Sequence, residues 1–139
     1  MIRSFVSLLA GVVLAIALPV TAAAATTTLV ATLDGASEPE GGDATGSGTF
    51  TVEIDPDAGD FCYTLKVKGI DAPTAAHVHT GAVGVSGPPA VTIAVGDDNC
   101  IAAEPTVLRP MVENPAGYYV NVHTAAFPKG AIRGQLTKK

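Results

Sequence analysis

Alternation of apolar and polar residues is the dominant pattern along this chain. In Gly48-Thr49-Phe50-Thr51-Val52-Glu53-Ile54, Phe50, Val52 and Ile54 share one face and Thr49, Thr51 and Glu53 the other, the period of two that marks a half-buried strand. Phe61 to Lys68 repeats it, with Phe61, Tyr63, Leu65 and Val67 inward and Cys62, Thr64 and Lys66 outward. Asp55-Pro56-Asp57-Ala58-Gly59-Asp60 between them has turn composition, which predicts a hairpin. Thr27 to Leu33 and Ala90 to Val95 are rich in β-branched and apolar residues and are predicted strands. In Ala131 to Leu136, Ile132 and Leu136 fall on one face and Arg133 and Gln135 on the other.

Two more segments with this period hold every histidine in the chain. Ala76-His77-Val78-His79-Thr80-Gly81 sets His77 and His79 on one face and Val78 on the opposite one. In Gly117 to Thr124, Tyr118, Val120 and Val122 form the apolar face, and Tyr119, Asn121 and His123 look the other way. With the valines turned to the core, all three histidines lie on the outer face of the sheet, where loops can cover them. Only Pro105 to Asn114 has helical spacing, through Leu108, Met111 and Val112; Pro115 stops it and Pro110 keeps it short. Gly96-Asp97-Asp98-Asn99-Cys100 and the glycine-proline stretch Gly81 to Pro89 are expected turns and loops. The expected fold is all-β, a Greek-key sandwich or barrel of seven or eight strands with one short helix.

The N-terminus changes the picture of where this fold resides. Met1-Ile2-Arg3 precedes an uncharged apolar run through Leu18 that exits at Ala22-Ala23-Ala24-Ala25, the three-part pattern of a secretory signal. Residues 1–25 are therefore expected to be a cleaved leader rather than a membrane anchor, since Pro19 and the alanine cluster interrupt the run, and residues 26–139 form one domain. The net charge of −5 becomes about −6 once Arg3 is removed, and the only basic cluster is Lys138-Lys139. Nucleic-acid binding, which needs a positive patch to neutralise phosphates, is not expected. The mature chain has no predicted membrane span. Cys62 and Cys100 are the only cysteines, and in an exported chain such a pair is expected to form a disulfide.

Three imidazoles can hold copper, zinc, iron or nickel, and three protein ligands leave one position open to water or substrate. His77, His79 and His123 are the candidate ligands, with Tyr119 and Asn121 on the His123 face to orient them. The alternative is a set of histidines hydrogen-bonded to loop backbone, holding the Gly81 to Pro89 loop against the sheet. Asp55, Asp57 and Asp60 do not have the spacing of a twelve-residue calcium loop and are expected to shape a turn. No serine or cysteine sits in a nucleophile-elbow motif, so hydrolase chemistry is not expected.

Three blocks resemble the CHRD domain, the repeated module of chordin: Gly46-Ser47-Gly48 to Ile54; Ala76 to Gly81 with Gly87-Pro88; and Tyr118 to Thr124 with Pro128-Lys129-Gly130 and Ala131 to Leu136. The resemblance spans nearly the whole mature chain and implies an exported module without a generally agreed activity. A fainter likeness is to the copper/zinc superoxide dismutases, carried by Gly69-Ile70, His77-Val78-His79 and Val122-His123. It implies a Greek-key barrel in which His77, His79 and His123 match copper-binding histidines and Arg133 matches the arginine that guides the anionic substrate. No fourth histidine exists to bridge a second ion, so any such centre would be mononuclear. Three functions follow. The first is a non-enzymatic binding or structural module of the cell envelope or secreted fraction, with an unidentified protein or envelope partner. The second is a copper-binding protein with one copper ion and, if it turns over, superoxide-dismutase-type redox chemistry. The third is a cell-surface adhesion module.

Overall fold

The computed structural model describes residues 25–139. The leader expected over residues 1–25 lies, apart from Ala25, outside the described residues. Nine strands and one α-helix follow in the order β1 (Thr27–Asp34), β2 (Ser47–Asp55), β3 (Asp60–Lys68), β4 (Pro73–Thr80), β5 (Pro89–Ile93), β6 (Gly96–Ala102), α1 (Pro105–Glu113), β7 (Tyr118–Thr124), β8 (Ile132–Gln135) and β9 (Thr137–Lys138). All pair antiparallel in one curled sheet of order β5-β4-β7-β8-β1-β2-β3-β6, with β9 paired to β1. In this order β3 and β4, and β6 and β7, follow one another in the chain without being neighbours in the sheet, the non-local connections of a Greek key, and β5 and β6 are the two ends of the pairing order.

The expected hairpin forms with Ile54 opposite Phe61 and Phe50 opposite Leu65. Asp55 Oδ1 accepts hydrogen bonds from the amides of Asp57 and Ala58 at 2.9 and 3.0 Å, so the acidic turn is closed by its own carboxylate as Asx chemistry predicts. The inward face of each long strand meets in a single core, where Leu29, Leu33, Phe50, Ile54, Phe61 and Leu65 are fully buried. Each side chain of this size contributes about 1.5–3 kcal/mol on burial. The helix presents Leu108 and Met111 to that core and tolerates Pro110 because it has only nine residues.

The structure corrects three sequence expectations. Gly96 to Cys100, expected as a turn, belongs to strand β6, because pairing with β3 supplies the backbone partners that composition alone does not foretell. The strand expected over Ala90 to Val95 ends at Ile93, and the chain crosses from β5 to β6 through Ala94, whose amide donates to the Tyr63 hydroxyl at 2.9 Å. The strand expected over Ala131 to Leu136 is shorter. It ends at Gln135, and after the buried Leu136 the chain resumes as the two-residue β9 along β1. Cys62 and Cys100 are directly opposite on β3 and β6 and form a disulfide. The bridge therefore joins two strands on their outer face rather than tethering a loop.

Candidate metal centre

Register places the histidines. Strand β4 pairs with β7 so that His77 faces Asn121, His79 faces Tyr119 and Ala75 faces His123. His77 and His123 are thus diagonal neighbours on the outer face, within reach for large side chains. Val78, Val120 and Val122 on the opposite face are fully buried in the core. The ligating nitrogens offered by His77, His79 and His123 all lie within 4.8 Å of one another.

Two of the three rings are oriented by backbone carbonyls. His79 Nδ1–H donates to the Gly87 carbonyl at 2.7 Å, and His123 Nδ1–H donates to the Pro128 carbonyl at 3.0 Å. Each bond leaves the Nε2 lone pair free. The Nε2 of His123 meets His77 Nδ1 at 3.2 Å, and the Nε2 of His79 is buried without a hydrogen-bond partner. Burial, followed by repulsion from His123 and His79, lowers the His77 pKa. The His79 pKa is also lowered, mainly by burial and against the pull of its bond to Gly87. Both shifts favour neutral imidazole, the form that ligates a metal.

The outward face is less open than alternation implies. His79 is 9% exposed, and Tyr119, Asn121 and Arg133 are buried; the loop from Gly81 to Pro89 folds back onto His79, Tyr119 and Arg133. Five side-chain bonds hold it: His79 to the Gly87 carbonyl, the Gly87 amide to the Tyr119 hydroxyl at 3.2 Å, Arg133 Nη2 to the Ala82 carbonyl at 2.8 Å, Gln135 Nε2 to the Gly81 carbonyl at 2.7 Å and, more weakly, the Thr80 hydroxyl to the Pro88 carbonyl at 3.5 Å. The glycine at 87 is required, since a Cβ there would lie 1.8 Å from the Thr80 carbonyl oxygen.

Tyr119 is layered between two partners. The His79 ring stacks on it at 4.9 Å and 7°, and the Arg133 guanidinium carbon lies 3.4 Å from its ring centroid, a cation–π contact. Arg133 is on the histidine face but only 2% exposed, so in this arrangement it anchors the loop and the Tyr119 ring rather than meeting solvent. Glu38 is the member that sequence reasoning missed. It arrives from the polar loop after β1 and is 9% exposed. Its carboxyl is held above the ordinary carboxylate range by burial, against the pull of Arg133 and of a hydrogen bond from Asn121. No local pattern around Glu38 signals this.

The family model of the CHRD domain matches residues 29–136. The chain belongs to the CHRD family. No curated protein and no solved structure matches it. The matched region takes in every strand that positions the histidines, so the cluster is built by the CHRD fold itself rather than by an appended segment.

Proposed function

We propose that this CHRD domain is an exported module that binds one transition-metal ion through His77, His79 and His123. The observation that carries the reading is the convergence of three ring nitrogens within 4.8 Å, two of the rings being fixed through their other nitrogen by backbone carbonyls. Ligands about 2 Å from one ion in tetrahedral geometry lie about 3.3 Å apart. The His77–His123 pair at 3.2 Å already has that separation, and the most distant pair needs to close by about 1–1.5 Å. The buried, unpartnered His79 Nε2 has a physical reason to exist if it is a ligand, because an unsatisfied buried acceptor otherwise costs about 1–3 kcal/mol.

His77 Nδ1, His79 Nε2 and His123 Nε2 are the atoms that would hold the ion. Imidazole suits copper, zinc, nickel and iron, and the likeness of His77-Val78-His79 and Val122-His123 to copper-binding segments puts copper first. A bound copper would supply one-electron chemistry at a position left open by three protein ligands. Export is supported by the signal-like residues 1–25 and by the Cys62–Cys100 disulfide, which persists in oxidising compartments. Among the described residues no helix is long and apolar enough to cross a membrane.

The test is metal content by mass spectrometry on protein purified without a metal column. About one equivalent is expected, with His123→Ala losing most of it because two imidazoles form a poor chelate. A second reading, a purely structural histidine cluster, is favoured by the His79 and Arg133 bonds that tie the loop down. It predicts no metal in the native protein and a folding defect in His123→Ala.

A further inference from the structure

The described residues hold four buried side-chain atoms without a hydrogen-bond partner, and all belong to one group: Glu38 Oε1, His79 Nε2, Asn121 Oδ1 and Arg133 Nη1. Register explains the grouping. His77, Asn121 and Arg133 are directly opposite one another across β4, β7 and β8, and Tyr119, the cross-strand partner of His79, lies under Arg133. Glu38 reaches the group from a loop outside the sheet. Its carboxyl packs against Gly130, where a Cβ would stand 2.2 Å from Glu38 Oε1, in the same turn whose Pro128 carbonyl orients His123. Asn121, opposite both His77 and Arg133, stands between the histidine strand and the arginine that acts on Glu38.

Charge gives the arrangement its meaning. Burial favours the neutral form of His77 and His79, an imidazole ligand brings no charge of its own, and the guanidinium of Arg133 beside them is buried. A divalent ion would add two positive charges to a site that already holds one, in a place where solvent screens poorly. The charged groups acting on Glu38 are Arg133 from β8 and Glu40 from its own loop, and Glu40 is paired with the exposed Lys129. Glu38 is therefore the one buried carboxyl beside the centre among the described residues, and the Arg133 guanidinium pulls it toward its anionic form against the cost of burial.

We propose that Glu38 is the counter-charge of the three-histidine centre, a positioning residue that does not touch the ion but, with Asn121 as the intervening amide, sets how strongly the site favours divalent over monovalent ions. This rests on the metal-binding reading above. A Coulombic partner acts in proportion to the charge it faces. Removing the negative charge should therefore cost a divalent ion about twice the logarithmic loss in affinity that it costs a monovalent one.

The experiment compares Zn²⁺ and Ag⁺ binding by calorimetry in the full mature domain, for the wild type, Glu38→Gln and Glu38→Asp, with circular dichroism confirming that each folds. Glu38→Gln is expected to weaken Zn²⁺ by at least tenfold and Ag⁺ by about the square root of that factor. Glu38→Asp, which keeps the charge, is expected to recover most of the Zn²⁺ affinity. Equal losses for both ions, or no loss, would overturn the counter-charge role while leaving the metal centre standing, since a packing defect does not distinguish ionic charge. A wild type that binds neither ion would instead defeat the metal reading on which the proposal rests. If Glu38→Gln fails to fold, Glu38→Met, neutral and without an unpaired buried polar group, takes its place: a larger loss for Zn²⁺ than for Ag⁺ supports the role, and an equal loss or none rejects it.

Discussion

His123 Nε2 stands 3.2 Å from His77 Nδ1 although the two residues are not paired across their strands: Asn121 is opposite His77, and His123 is opposite Ala75. The diagonal brings both rings, 5.2 Å apart between centroids, to one patch of the outer face beside Asn121. Since His123 Nδ1–H is committed to the Pro128 carbonyl, His123 Nε2 is the acceptor and His77 Nδ1 the donor in the metal-free protein.

That arrangement sets a pH dependence. The pKa values of His77 and His79 are lowered, first by burial, so the folded state resists a proton that the unfolded chain accepts. Between the ordinary histidine value of about 6.5 and the lower folded values, the unfolded state binds more protons. The stability from these two rings is therefore present above about pH 6.5 and is lost as pH falls through the folded values. Nitrogen-15 NMR titration should show the His77 and His79 rings neutral at pH 6.5, with Nδ1 protonated on His79. A His79 ring protonated on Nε2 at that pH would contradict the assignment of its bond to Gly87.

Gly87→Ala tests the loop that covers the centre. The added methyl collides with the Thr80 carbonyl and must displace the segment that carries the acceptor of His79 and the amide bonded to Tyr119. A loss of roughly 1–3 kcal/mol in denaturant unfolding is expected, with faster hydrogen exchange confined first to Gly81 to Pro89. Unchanged exchange there would show that the loop is held by other contacts.

Reduction of Cys62–Cys100 tests the edge of the sheet. The bridge spans 38 positions, and in the chain-entropy view closing such a loop is worth about 4 kcal/mol. Because β6 pairs only with β3, its amides should be the first in the sheet to lose exchange protection when both cysteines are replaced by alanine. Uniform loss of protection across all strands would show instead that β6 is cooperative with the whole sheet.

The strands that build the centre were legible because period-two alternation is a local consequence of strand geometry: Phe50, Val52 and Ile54, or Val120 and Val122, declare their face without reference to anything distant. The same parity placed His77, His79, His123, Asn121 and Arg133 together on the other face, and the two cysteines and the short helix were legible on equally local grounds. Sequence alone did not give the β4–β7 register, so it could not show that His77 and His123 meet on a diagonal. It misread Gly96 to Cys100, whose turn-like residues form a strand only because β3 offers an edge. Nor could it show that the face called outward is covered, since burial of Tyr119 and Arg133 depends on where the Gly81 to Pro89 loop folds back. Glu38 was hidden most completely: 39 positions separate it from His77, and its place beside Asn121 and Arg133 comes from loop packing, for which no periodicity exists in the chain.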